Sequence, residues 1–211
     1  MPALDEASLL VAVEALSAID QDLAGIVARH GPPPLWAREP GFETLVKIIL
    51  EQQVSLGSAM AALGRLRAAL GIDDGVPLTP QAVIELGEEA MRTAGLTRQK
   101  ARYLRALAED VGSSRLDLAG VAAATDEDAR AALMNVAGIG RWTADIYLLM
   151  ALGRPDVWPD GDLALAAAMR GAKGLATLPT REEQRSIAEA WRPWRAVAGR
   201  ILWHAYLSGE R

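Results

Sequence analysis

Apolar residues in this chain recur at spacings of three and four with little sustained alternation, the period of a helix face and not of a pleated strand. The pattern predicts an all-α protein. A first helix is expected from about Leu9 to Val27, with Leu9, Val13, Leu16, Leu23 and Val27 as its apolar stripe. Gly31-Pro32-Pro33-Pro34 must stop it, because proline lacks the amide proton that a helix interior uses. A second helical stretch runs from about Phe42 to Leu70, interrupted at Ser55 to Ser58. Thr79-Pro80 has the form of an N-cap followed by a first-turn proline, opening a helix that ends near Gly95. Thr97 is placed to cap the next. Thr125-Asp126-Glu127-Asp128 and Thr180-Arg181-Glu182-Glu183 both have capping-box spacing, and a last helix is expected from near Pro193.

With 211 residues, 51% of them hydrophobic, the chain can bury a core as one domain or two packed halves. No apolar run approaches the roughly 18 residues that span a bilayer, and the opening residues lack the layout of a signal peptide. The expectation is an intracellular, monomeric protein without a membrane partner, cytoplasmic and nucleoid-associated if bacterial. There is no cysteine, which excludes disulfides and thiolate-held zinc or iron–sulfur clusters. His30 and His204 lie too far apart in sequence to suggest a metal site. A net charge of −5 argues against a protein that coats nucleic acid indiscriminately. The basic residues do cluster, as Arg98, Lys100, Arg102 and Arg105 and as Arg192, Arg195 and Arg200, although charge alone reads more readily as a solvated helix face.

The most informative string is Leu133-Met134-Asn135-Val136-Ala137-Gly138-Ile139-Gly140-Arg141-Trp142-Thr143-Ala144. Two glycines around one apolar residue allow a tight turn, and Ile139 can plug the space between the flanking helices. Such a turn aims backbone N–H groups at a helix start, where a phosphate can bind without a basic side chain. Taken alone, Gly-Ile-Gly is also an ordinary helix–helix turn. The whole string resembles the helix-hairpin-helix of the HhH-GPD DNA glycosylase superfamily, closest to its 3-methyladenine DNA glycosylase II (AlkA-like) branch. Ala137 departs from the proline common in the family.

Downstream lies Asp156-Val157-Trp158-Pro159-Asp160-Gly161-Asp162-Leu163. Read from residues alone, Asp162 is a helix N-cap and Asp160 a turn residue. Asp162 falls 22 residues beyond Gly140, and the run is similar to the branch's catalytic segment, so the resemblance makes Asp162 the catalytic carboxylate. The two roles are compatible, because a helix N-terminus favours a carboxylate's charged form, and that form can stabilise the positive charge that builds on the sugar as a base departs.

The resemblance covers about Trp36 to Tyr206 and carries further expectations. It implies two packed helical half-domains with the active-site cleft between them: an arm over 1–40 packing with the C-terminal half, a domain over 41–150 containing the hairpin motif (133–150), and a C-terminal half over 151–211. Ile48 to Ser55 resembles the stretch that fills the gap left by a flipped base, with Gln53 as the intercalator and Gln52 and Ser55 at the DNA beside Gly138, Ile139, Gly140 and Arg141. Gln53 reads equally as an exposed residue at a helix break, and some relatives have leucine there. Trp142 and Trp203 are the pocket aromatics, suited to cationic methylated purines, whereas Trp191 and Trp194 read as core. Ile146 stands where one member of the branch has a pocket tyrosine. Relatives that also cut the strand have a lysine at position 142, so Trp142 implies a monofunctional enzyme. No cofactor is implied, only a structural sodium or potassium ion on the carbonyls of Met134, Val136 and Ile139. The partner is double-stranded DNA with a damaged base. The competing expectation is a noncatalytic module that binds bent or damaged DNA, with Asp162 only a cap.

Overall fold

The computed structural model describes residues 2–209 and contains, among them, helices and no strands. The chain divides into two compact units. The central unit is Arg38–Tyr147, and the terminal unit joins the chain up to Ala37 with the chain from Leu148 onward.

In the terminal unit the single N-terminal helix expected over Leu9–Val27 is two, α1 (Glu6–Ile19) and α2 (Gln21–His30). The break is at Asp20, whose carboxylate caps α2 by accepting the Asp22 and Leu23 N–H groups at 3.0 and 3.2 Å. Lys173 Nζ also reaches both its oxygens, at 2.9 and 2.7 Å, and Trp191 Nε1 donates to it at 2.7 Å. Burial raises the Asp20 pKa, but the Lys173 and Trp191 hydrogen bonds outweigh it and hold the carboxyl below its ordinary value.

The rest of this unit comprises α10 (Leu163–Ala172), α11 (Arg181–Ala188), a single 3₁₀ turn (Glu189–Trp191) and α12 (Arg195–Leu207). α12 begins two residues later than expected. It forms the centre of the unit, with Val197, Ile201 and Leu202 buried and α1, α2 and α10 packed around it. Each such side chain gains about 1.5–3 kcal/mol by leaving water. Trp191 is core, as expected, its ring centre 5.7 Å from that of Trp158 and tilted 50° to it, whereas Trp194 is only half-buried at the α12 N-cap. Arg200 is buried and donates to the carbonyls of Leu35, Ala196 and Leu149 at 2.8, 3.1 and 2.9 Å. Burial pushes its pKa down to about 10.

The central unit begins with α3 (Phe42–Glu51), α4 (Leu56–Leu70), α5 (Pro80–Thr93) and α6 (Arg98–Gly112), followed by α7 (Leu118–Ala123) and α8 (Asp126–Met134). α3 buries Leu45, Val46, Ile48, Ile49 and Leu50 against α4 and α6. The interruption expected at Ser55–Ser58 lies over 52–55, and Ser55 caps α4 by accepting the Ser58 N–H at 3.2 Å. Thr79, Thr97 and Thr125 cap their helices as their positions predict. At Thr125 the box is half made: Asp128 accepts from the Thr125 hydroxyl at 2.8 Å, its side chain being one carbon shorter than the glutamate that completes the box at Thr180. α7 and a kink in α5 at Gly87 (φ 75°) are additions that the apolar pattern did not indicate. α9 (Arg141–Met150) starts in this unit, and the dividing point falls within it.

Candidate functional site

The hairpin lies wholly in the central unit. α8 ends at Met134, Asn135 follows as its C-cap, and the Ile139 N–H closes the turn on the Val136 carbonyl at 3.1 Å. Gly138 has φ +94° and sits against the Tyr103 ring of α6, where any Cβ would collide with ring carbons. Glycine is therefore required there both by backbone angle and by space. Ile139 is buried, plugging the turn as its position predicts. A Cβ at Gly140 would meet no protein atom within 4 Å, so the absent side chain leaves an open approach to the helix start. α9 begins there, with the Ala144 N–H bonding to the Gly140 carbonyl at 3.0 Å. The N–H groups of a first helical turn have no acceptor within their own helix, which makes this end an anion-binding geometry.

Arg141 is exposed, and its Nε lies 3.8 Å from Asp145 Oδ2. Asp145 is fully buried and paired at 2.6 Å with Arg130 Nε of α8, so the two helices of the motif are joined by an ion pair. Trp142 is half-buried, while Ile146 is buried.

The turn between α3 and α4 carries Gln53 exposed, with a left-handed φ of 57°. Ser55 is exposed and serves as the α4 cap. Gln52 does something that its sequence position did not announce. Its Nε2 donates to the Gly138 carbonyl and to Thr143 Oγ1, both at 2.9 Å. Of the basic cluster on α6, Lys100 donates to the Leu50 carbonyl at 2.7 Å and Arg105 pairs with Glu109 at 2.8 Å, while Arg98 and Arg102 are exposed. Lys100 and Tyr103 are three residues apart on one helix face. That spacing is visible in sequence, but not what the face packs against.

In the terminal unit, Asp162 is the N-cap of α10. Its Oδ1 accepts the Leu165 N–H at 2.9 Å and the indole N–H of Trp203 at 3.3 Å. Trp203 is 8% exposed, so a buried ring from α12 donates to the half-buried carboxylate. The loop that delivers Asp162 is held from α11. Asp160 is buried and takes a two-pronged ion pair from Arg185, at 3.2 and 2.5 Å, and Arg181 packs over Gly161. Asp160 is thus more than a turn residue. Asp156 is paired with Arg192 and Arg195 at 2.9 Å. The expected site residues therefore form two sets, the 52–55 turn with the hairpin and Asp162 with Trp203, each held within its own unit.

Residues 46–193 match the HhH-GPD superfamily of base excision DNA repair proteins. The chain belongs to that family. Bacillus subtilis YfjP is 27% identical over 186 residues, covering 87% of this chain and 65% of its own length, so the chain spans just under two thirds of that relative. DNA-3-methyladenine glycosylase 1 of Schizosaccharomyces pombe is 28% identical over 192 residues, covering 89% and 83%. The structure of the S. pombe 3-methyladenine DNA glycosylase Mag1 in complex with abasic DNA superposes with a TM-score of 0.85 at 26% identity, covering 95% of this chain and 98% of that one. A DNA-3-methyladenine glycosidase from Bacillus halodurans superposes at 0.76 with 31% identity, covering 92% and 88%. The HhH-GPD family thus accounts for the hairpin and for the all-helical fold.

Proposed function

We propose that this chain is a monofunctional DNA glycosylase of base excision repair, which flips an alkylated purine of the 3-methyladenine or 7-methylguanine type out of duplex DNA and hydrolyses its N-glycosidic bond to leave an abasic site. The observation that carries this reading is the Asp162 carboxylate, fixed at a helix start by a backbone N–H and by a tryptophan that itself belongs to the expected pocket. The names of the matched glycosylases support the substrate class.

In the proposed reaction the bond from C1′ to the purine nitrogen breaks, and its electron pair leaves with the base. An N3- or N7-methylated purine is already cationic and departs neutral, so no strong general acid is needed. Positive charge builds at C1′, where the Asp162 carboxylate stabilises it. Water then adds its oxygen to C1′ and gives up one proton, which Asp162 is placed to guide. Trp142, Trp203 and Ile146 are the residues proposed to meet the damaged base, and an aromatic face attracts a cationic ring.

Gly138, Ile139, Gly140 and Arg141 hold the backbone of the damaged duplex, with Gln53 filling the vacated stack and Ser55 beside it. The carbonyls of Met134, Val136 and Ile139 are oxygen donors suited to a hard monovalent cation. The Val136 oxygen already accepts the Ile139 N–H and keeps a second lone pair for such an ion. The enzyme works as an intracellular monomer.

Single-turnover excision on duplexes carrying one 7-methylguanine tests the reading. Asp162→Asn is expected to bind the duplex as before and to excise about 100-fold more slowly or worse. Undiminished excision would leave Asp162 a helix cap and favour a noncatalytic DNA-binding module. Borohydride is expected to trap no covalent DNA complex, since Trp142 offers no amine; efficient trapping would overturn the monofunctional assignment.

A further inference from the structure

Gln52, the residue beside the proposed wedge, turns its side-chain amide to the hairpin. The Gly138 carbonyl can only accept a hydrogen bond, so it is the amide nitrogen of Gln52 that faces it, and both protons of that nitrogen are used on the hairpin side, at Gly138 and Thr143. Thr143 is buried in the first turn of α9. One side chain from the wedge turn thus clasps both the hairpin loop and the helix that starts from it. The same turn is held from its other flank by Lys100 on the Leu50 carbonyl, with burial pushing the Lys100 ammonium pKa down, and Arg38 pairs with Glu51 at 3.0 Å. α6 completes the circuit, because the Tyr103 ring one turn from Lys100 is the surface on which Gly138 rests. From this braced ring of contacts Gln53 projects, exposed and in a left-handed backbone conformation.

We propose that Gln52 is a positioning residue that fixes the register between the intercalating Gln53 and the phosphate-binding hairpin. The inference rests on the glycosylase reading above. When the hairpin holds a phosphate, the wedge is already aimed at a set place in the stack, and insertion does not have to order a loose turn. The hairpin's own backbone donors do not depend on Gln52. Grip and insertion therefore separate when Gln52 is removed.

The test compares the unsubstituted chain with Gln52→Ala, and with Gln52→Met, whose neutral side chain keeps the length but cannot donate to Gly138. Three quantities are measured: affinity for undamaged duplex, base flipping by 2-aminopurine fluorescence next to one 7-methylguanine, and single-turnover excision from that lesion either paired or placed in an unpaired bulge. Both variants are expected to bind undamaged duplex as the unsubstituted chain does. They should flip and excise the paired lesion about tenfold more slowly or worse, and excise the bulged lesion, which has no stack to open, at close to the original rate. That rescue is the readout a merely structural role would not produce. Equal loss on paired and bulged lesions, lost grip on undamaged DNA, or no loss at all would overturn the assignment. If the unsubstituted chain excises but the variants match it, only the role of Gln52 fails; if the unsubstituted chain neither flips nor excises, the glycosylase reading fails and takes this inference with it.

Discussion

The two units brace their working loops by different means, and the difference is water. In the central unit the Gln52 amide on Gly138 and the Lys100 ammonium on Leu50 are part-buried, and the Arg130–Asp145 pair is shielded, its side chains 10% and 0% exposed. In the terminal unit the Asp162 loop is held in part by arginines that reach in from solvent, Arg185 and Arg192 being more than half exposed against Asp160 and Asp156, while Arg195 on Asp156 is 17% exposed. An exposed pair is weak and screened by salt, whereas a buried contact is neither easily screened nor easily lost. The turn proposed to enter DNA is thus expected to open less readily than the loop that carries the carboxylate.

The largest expected effect probes the shielded side. Asp145→Ala leaves the buried Arg130 guanidinium with only the exposed Glu127 carboxylate at 3.3 Å and should lower the free energy of unfolding by about 3–5 kcal/mol, read from urea denaturation; a change below about 1 kcal/mol would mean that water already reaches the pair. The matching truncation in the terminal unit, Asp160→Ala, should lose less, about 1–3 kcal/mol, because the half-exposed Arg185 can turn to solvent when its buried carboxylate partner is removed. Its effect should fall on chemistry instead, slowing single-turnover excision several-fold, up to about tenfold, as Asp162 loosens. If Asp160→Ala unfolds the chain as severely as Asp145→Ala, the contrast between the units disappears.

Two smaller effects sharpen it. Raising salt from 0.1 to 0.5 M should speed hydrogen exchange in the 156–162 loop while leaving the 52–55 turn unchanged. The pH dependence of Asp20 gives a last check within the terminal unit. Its folded pKa lies below the ordinary 3.8, so the stability it contributes is present above that value and disappears as pH falls through the lower, folded value. The gap in Tm between the unsubstituted chain and Asp20→Asn should therefore close as pH is lowered from 5 toward 3; a gap that holds constant would remove the carboxylate's charge from the account.

What the sequence made legible was local. Helical period, the Thr79, Thr97 and Thr180 caps, the Gly138-Ile139-Gly140 turn and the cap geometry of Asp162 all depend on neighbours within a few residues, and composition and spacing carry that information. What escaped depends on partners far along the chain. Asp20 reads as one polar residue between two apolar stretches until Lys173 and Trp191, more than 150 residues away, arrive at its carboxylate. Lys100 belongs to a visible basic cluster, yet its ammonium serves a backbone carbonyl 50 residues earlier. Gln52 looks like a second polar residue at the DNA, and only the fold shows its amide turned to a hairpin 86 residues on. Asp160 was legible as a turn residue but not as half of an ion pair, because Arg185 is one of many arginines.

The rest of Gly138 on the Tyr103 ring also constrains how this chain can drift. The two positions are not symmetric partners. Replacing Tyr103 with a small residue would open room beside the turn, yet it would leave the backbone at 138 at φ +94°, a conformation that β-carbon residues rarely adopt. Glycine at 138 is thus locked in twice, and a lineage that loses the ring gains no freedom at the turn. A lineage that loses the glycine must remake the ring and the turn together. Variation should therefore accumulate at 103 long before it appears at 138.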